Sequence, residues 1–178
     1  YTFLNKTKKS YTLQKNNHHN IIVTMRATNS QWIKELASIY KSAFEKHHIF
    51  EKKEHEIVSY LKKTRKKSDL IIFLDQGVVL GGVVVIREEK DQKRKFSRWR
   101  LLHFACRNSV SPTNRLFFLQ KVEQKLKKRG RKGKIQYEMA ETEQEYISLF
   151  ELAGFQKEAT LSDYFRPGET GFIYSKII

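Results

Sequence analysis

Short β-branched runs alternate with segments of helical period along nearly the whole chain, and this alternation restricts the fold more than any other feature. The run IIVTMRAT (residues 21–28) suits a strand. Asn29 or Ser30 then caps a helix beginning at Gln31, with Trp32, Leu36, Ile39, Tyr40 and Ala43 at helical spacing. A second helix is expected over residues 53–66, burying Ile57, Val58 and Leu61. Its basic tail, KKTRKK, suits the negative end of the helix dipole. The apolar runs DLIIFLD and VVLGGVVVIREE flank Asp75-Gln76-Gly77 and read as a hairpin. Gly81-Gly82 lies inside the second run and marks a bulge or a close backbone approach.

Residues 88–98 read as a charged connection, and RWRLLHFACRN (residues 98–108) as a central strand. Ser111 and Pro112 open a helix with a capping hydroxyl and a first-turn proline. Its apolar stripe is Leu116, Leu119, Val122 and Leu126, and Gly130 ends it. KIQYEMAE (residues 134–141) is a strand, and residues 143–155 form a short helix ending at Gly154. Two closing strands follow, separated by the turn Arg166-Pro167-Gly168-Glu169. The order β-α-α-β-β-β-α-β-α-β-β calls for an α/β domain, a mixed sheet covered by helices. Residues 1–20 are polar and aperiodic and read as an N-terminal arm, which leaves residues 21–178 as one domain.

Composition excludes several classes. No apolar run reaches the ~18 residues of a membrane-spanning helix, and the first residues lack the apolar core of a secretory leader. Cys106 is the sole cysteine, so no intrachain disulfide forms, which suits a reducing, cytoplasmic setting. The six histidines show no metal-ligand spacing, so no metal is expected, and His103 reads as a core residue. No activated-serine motif and no phosphate-binding glycine loop occurs. Thirty-five basic residues against nineteen acidic ones give a net charge of +16, a field that favours polyanions. Two basic clusters stand out. One runs through Lys90, Lys93, Arg94, Lys95, Arg98 and Arg100, with Phe96 and Trp99 interleaved. The other runs from Lys125 to Lys134. Such clusters suit RNA or DNA phosphates, and equally a solvated loop and helix end.

The segment Tyr137-Glu138-Met139-Ala140-Glu141-Thr142, followed by Ile147 to Phe155 (ISLFELAGF), resembles the strand–helix unit of the GNAT N-acyltransferases. The ending Asp163-Tyr164-Phe165-Arg166-Pro167-Gly168-Glu169 is similar to the "DYYRPGEDA" ending of ribosomal-protein and peptide N-terminal acetyltransferases in that family. The likeness spans about residues 21–178. It implies a GNAT fold of about seven mostly antiparallel strands and about four helices, acetyl-CoA as cofactor, and an amine of a protein or peptide as acceptor. By register, Glu138 falls on the general base that removes a proton from the amine. Phe150 falls where the family has a tyrosine that protonates the leaving thiolate. Phenylalanine has no proton to give, which leaves Tyr146 and Tyr164 as candidate acids.

The resemblance also implies that the strand through Phe104, Ala105 and Cys106 pairs with the pantetheine arm. The family's glycine-rich pyrophosphate loop is replaced here by the glycine-free Arg107-Asn108-Ser109-Val110-Ser111-Pro112-Thr113-Asn114-Arg115. Ser111, Thr113 and Asn114 are candidate donors at that helix start, and Arg107 or Arg115 can neutralise a phosphate. The departure keeps two alternatives open: a catalytically degenerate module that binds RNA, the ribosome or another polyanion, and a nucleic-acid-modifying member. The glycine-free loop itself bears a short resemblance to the phage Mom-type DNA-modification branch of the superfamily.

Overall fold

The computed structural model describes residues 20–25, 29–44, 52–91, 96–129 and 132–178. Its elements run β1 (Asn20–Met25), α1 (Ser30–Ala43), α2 (Glu54–Thr64), β2 (Asp69–Asp75), β3 (Val78–Asp91), β4 (Phe96–Cys106), α3 (Pro112–Arg129), β5 (Lys132–Ala140), α4 (Gln144–Leu152), β6 (Gln156–Arg166) and β7 (Glu169–Ile177). All seven strands join one sheet in the order β1-β2-β3-β4-β5-β7-β6. Every neighbouring pair is antiparallel except β4 and β5. A parallel pair needs a crossover, and α3 supplies it. The expected polar arm lies outside the described residues, apart from Asn20, which opens β1.

Two cores form, one on each face of the sheet. On one face Ile33, Leu36, Tyr40, Ile57 and Leu61 of α1 and α2 meet Leu70, Ile72 and Val84. On the other, Phe118, Leu119, Val122 and Leu126 of α3 and Phe150 of α4 meet Phe73, Trp99, Phe104 and Ile135. Alternation along the strands divides the residues between the faces. Asn29 is the cap of α1, its side chain accepting from the N–H groups of Gln31 and Trp32. Ala43, expected on the buried stripe, is exposed, and Ile33 takes its place inside.

The segment expected as a charged connection is mostly strand. Residues 88–91 extend β3, and β4 begins at Phe96, with Glu89 opposite Arg98 and Lys90 opposite Ser97. Ser97 and Trp99 are buried and Arg98 is exposed, so a half-buried period-two pattern runs beneath the charges. Cross-strand ion pairs join Arg98 to Glu89 at 3.6 Å and Arg100 to Glu88 at 2.8 Å. The charges decorate a hairpin rather than interrupt it.

Gly81 and Gly82 serve close packing. A Cβ on Gly81 would lie 2.5 Å from the Ala105 carbonyl oxygen, and one on Gly82 would lie 2.7 Å from a Leu36 methyl. Bulges flank the pair. One lies between Phe73 and Leu74 of β2, and the other places His103 and Phe104 opposite Val83 alone.

Candidate active site

The parallel ladder between β4 and β5 ends at Leu101 opposite Tyr137. Beyond it β4 continues to Cys106 and β5 to Ala140 without pairing, so the sheet splays open at its middle. The bulge at His103 turns β4 away. That residue has φ +54°, a left-handed conformation costing a β-carbon-bearing residue of order 1–3 kcal/mol. Its ring is anchored to the Tyr60 hydroxyl at 2.9 Å and stands edge-on to Tyr40 and Phe44. His103, expected as a core residue, is instead half-buried, and these contacts hold it at the strand end.

Glu138 is the first residue of β5 past the last rung. It lies on the sheet face opposite Tyr137, with its side chain 21% exposed. Its carboxylate accepts a hydrogen bond from the Tyr164 hydroxyl at 2.9 Å and faces Arg100 Nη1 at 3.4 Å. Arg100 stands between two acids. Its Nε lies 2.8 Å from Glu88, close enough for an ion pair but without the angle of a hydrogen bond. Burial, then the bond to Glu138, raises the Tyr164 hydroxyl, which stays protonated at neutral pH.

Two features of β6 and β7 aim Tyr164. Asp163 has φ +54° inside a register break between Leu161 and Arg166, and its carboxylate accepts from the Gly168 N–H at 2.5 Å. The Tyr164 ring lies across Gly171, where a Cβ would approach to 2.6 Å. The motif residues Asp163 and Gly168 thus build a bulge that delivers a hydroxyl to Glu138. Arg100 appeared in the sequence only as one member of a basic cluster, and Gly171 carried no signal at all.

The other face of the splay is apolar and full. Tyr137 stacks on Phe150 at 4.4 Å between ring centroids. Its hydroxyl is hydrogen-bonded with the Phe104 backbone. Phe104, Phe118 and Phe150 are completely buried. Phe150 therefore continues a stack of rings at the position where the family likeness implies a tyrosine. Tyr146, one turn earlier on α4, is half-buried and stands edge-on to Phe104 at 6.2 Å. Burial, followed by the neighbouring Cys106, pushes its hydroxyl well above the usual tyrosine value. The two candidate acids are thus separated: Tyr146 belongs to the splay, Tyr164 to Glu138. Ala105 packs towards α1, and Cys106 is buried, its thiol pushed by burial up to about 12 despite the opposing pull of Arg115.

The loop after β4 is shaped around a cation. Arg115 is 6% exposed. Its Nε donates to the Val110 carbonyl at 3.0 Å, its Nη2 donates to the Arg107 carbonyl at 3.4 Å, and its Nη1 pairs with Glu145 of α4. Arg107 turns the other way, donating through Nε to the Val79 carbonyl at 2.6 Å and facing Glu35 at 3.6 Å. Both arginines read as phosphate partners are thus engaged within the chain. Ser111 caps α3 by accepting from the Asn114 N–H at 3.3 Å, while Ser111 and Thr113 are exposed at the helix start. A cavity of about 300 Å³ lies between this loop and α1, lined by Ser38, Ser42, Cys106, Arg107 and Asn108 among others.

No family model and no curated protein matches the sequence. Solved structures do match. The ribosomal-protein-alanine N-acetyltransferase of Brucella melitensis superposes with a TM-score of 0.65 at 16% identity, covering 88% of this chain and 99% of that one. Ard1 of Thermoplasma volcanium gives 0.68 at 14%, covering 90% and 98%. An aminoglycoside 6'-N-acetyltransferase complexed with coenzyme A gives 0.68 at 12%, covering 88% and 96%. The chain has the GNAT fold. Coverage of those chains is nearly complete, and the element order expected from the sequence is the one observed. At these identities the likeness speaks for architecture, and chemistry must be argued from the residues.

The residues of this GNAT-fold domain suit a pantetheine-bearing cofactor unevenly. The unpaired edge of β4 offers backbone groups to an extended amide chain. Arg107 N–H bonds to the Leu80 carbonyl on the β3 side, so by alternation Cys106 faces the splay. The pyrophosphate end fits only with a change of partner. The carbonyls of Arg107 and Val110 converge on the Arg115 guanidinium, which is available to a phosphate once Glu145 lets go. A guanidinium held by two carbonyls and one exposed carboxylate can exchange that carboxylate for a phosphate oxygen.

Proposed function

We propose that this GNAT-fold chain transfers an acetyl group from acetyl-CoA to an amine of a protein or peptide. One observation carries the reading: Glu138 stands at the mouth of the splay, on the open face, hydrogen-bonded by Tyr164 and ion-paired with Arg100. Acetyl-CoA supplies the activated acyl thioester. Glu138 accepts the proton that the amine must lose before it can attack. Arg100 pairs with the carboxylate at 3.4 Å, and the Tyr164 hydroxyl donates to it and fixes its orientation. Tyr146, edge-on to Phe104 and kept protonated by burial, would hold the proton needed on the thiol side. The backbone from Phe104 to Cys106 would carry the pantetheine arm. Ser111, Thr113 and Asn114 at the start of α3, with Arg115, would receive the pyrophosphate. Arg107 is assigned to holding the loop against β3. Cys106 is 3% exposed and burial pushes its thiol up, which favours direct transfer over a cysteine acyl carrier.

The test is calorimetry with acetyl-CoA, followed by peptide acetylation with Glu138→Gln. The expected result is saturable binding in both proteins and a loss of turnover of ~10²–10⁴-fold in the variant, the usual range for a removed general base. No binding at millimolar acetyl-CoA would end the proposal. Unchanged turnover in the variant would remove Glu138 from it.

A further inference from the structure

The other end of the sheet carries a second cavity. Two segments build it: the turn from α2 into the start of β2, residues 65–69, and the middle of β3. Its volume is about 560 Å³, and its lining is Arg65, Lys66, Lys67, Ser68, Asp69, Val85 and Arg87. Along β3, Val85 of this cavity is level with Leu101, the last rung before the splay, and Cys106 lies opposite Gly81, about four strand residues, ~13 Å, further on.

Four cations and one carboxylate line the cavity, and the carboxylate is already spoken for. Asp69 pairs with Arg129 at the end of α3. The lysines are not required by the helix end either. The last carbonyls of α2 are met by backbone: Arg65 N–H bonds to Leu61, Lys66 N–H to Lys63, and Lys67 and Ser68 N–H to Thr64, which also accepts from the Ser68 hydroxyl at 2.7 Å. The lysine side chains are thus left to solvent and to the cavity. Arg87 is laid flat over Trp99 at 4.3 Å, with Nη2 3.5 Å from the Arg129 carbonyl, so its guanidinium is oriented in advance. Most telling is Arg65. Its Nη1 is buried and has no hydrogen-bond partner among the described residues. Buried guanidinium N–H groups are rarely left so, because each costs about 1–3 kcal/mol of desolvation. Because Arg65 lines the cavity, a rotation of its guanidinium would bring that group to an acceptor seated there.

We propose that this cavity binds phosphate groups of a nucleic-acid strand, independently of any acyl transfer. Guanidinium groups match phosphate geometry, and the neighbouring lysines add the field that draws in a polyanion. A concave site receives a protruding phosphodiester, whereas a lipid surface presents a plane. The net charge of +16 steers the strand to the protein, and the cavity gives it a place to seat.

The experiment measures the binding of labelled RNA and duplex DNA oligonucleotides to the full chain by fluorescence anisotropy over a salt series. Three proteins are compared: wild type, Lys66→Glu/Lys67→Glu, and Lys34→Glu/Lys121→Glu. The last pair makes the same charge change at lysines outside the lining. Thermal melts confirm that all three fold. The cavity variant is expected to bind at least about tenfold more weakly, with a salt slope smaller by about one per lost phosphate contact. The control is expected to change by less than about threefold. Arg65→Lys keeps the charge and tests the guanidinium itself; it should weaken binding measurably. Which oligonucleotide binds more tightly names the strand. Equal losses in the two charge-reversed variants would mean a diffuse field and overturn the site. So would absence of nucleic-acid binding at low salt, or binding only to vesicles of anionic lipid.

Discussion

The two ends of β4 each gather arginines, and the chain treats them in opposite ways. At the Cys106 end, Arg107 and Arg115 are consumed: carbonyls of Val79, Val110 and Arg107 and the carboxylates of Glu35 and Glu145 surround them. Towards the Phe96 end, Arg65, Lys66, Lys67 and Arg87 line a cavity in which Asp69 is the one carboxylate among the described residues, and it belongs to Arg129. The first group holds a loop together, while the second has charge to spare. Counting cations along a sequence does not separate these cases. What separates them is how many acceptors the fold brings to each guanidinium.

The sharpest way to break this contrast is to remove one arginine from the consumed end. Arg115→Ala leaves two loop carbonyls without their donor and is expected to destabilise the fold by about 3 kcal/mol in urea denaturation. A loss below about 0.5 kcal/mol, the level of an ordinary surface change, would make Arg115 another surplus cation. Next in size is Glu145→Gln, which frees Arg115 from its one exchangeable partner. Because the Glu145 side chain is 64% exposed, stability should change by less than about 1 kcal/mol. Acetyl-CoA affinity should instead rise by about threefold to tenfold, up to ~1.4 kcal/mol, by calorimetry. Weaker binding would assign Glu145 a role in shaping the site rather than closing it. At the other end, Lys66→Ala/Lys67→Ala should leave stability within about 0.5 kcal/mol of wild type in the same denaturation, since the α2 carbonyls are met by backbone.

The smallest effect near neutrality concerns Cys106, whose thiol sits beside Arg115. Its folded value of about 12 lies above the ordinary 9.0, so the buried neutral thiol adds stability that is whole below pH 9.0 and lost as pH rises towards 12. The difference in midpoint between wild type and Cys106→Ala should be flat around neutral pH and shrink across that alkaline window. A difference that stays constant throughout would place the thiol in contact with solvent.

Legibility followed the range of the interaction. Ser111-Pro112 announced the start of α3, Asp75-Gln76-Gly77 the β2–β3 turn, and the 163–169 motif the β6–β7 turn, because each is written in neighbouring residues. The extension of β3 over residues 88–91 and the start of β4 at residues 96–98 were misread for the converse reason. Their charges look like a loop until the partner strand pairs Glu89 with Arg98 and buries Trp99 beneath. Within the candidate site, Glu138 was legible by register and Tyr164 by motif. That the two touch was not, since 26 residues and a strand crossing lie between them. Arg100 lies 38 residues from Glu138 and could be seen only as positive charge.

The sequence alone determined the order of the elements, which faces are apolar, the single thiol and the surplus of positive charge. These are local periodicities and sums, and they do not depend on how the chain is folded. The tertiary structure decided which arginines are neutralised and which are offered, which tyrosine serves Glu138 and which the splay, and where β4 leaves β5. Each of those depends on distances between residues far apart in the chain. Electrostatic and hydrogen-bond energies change over a few ångströms, a scale that only the packed sheet sets.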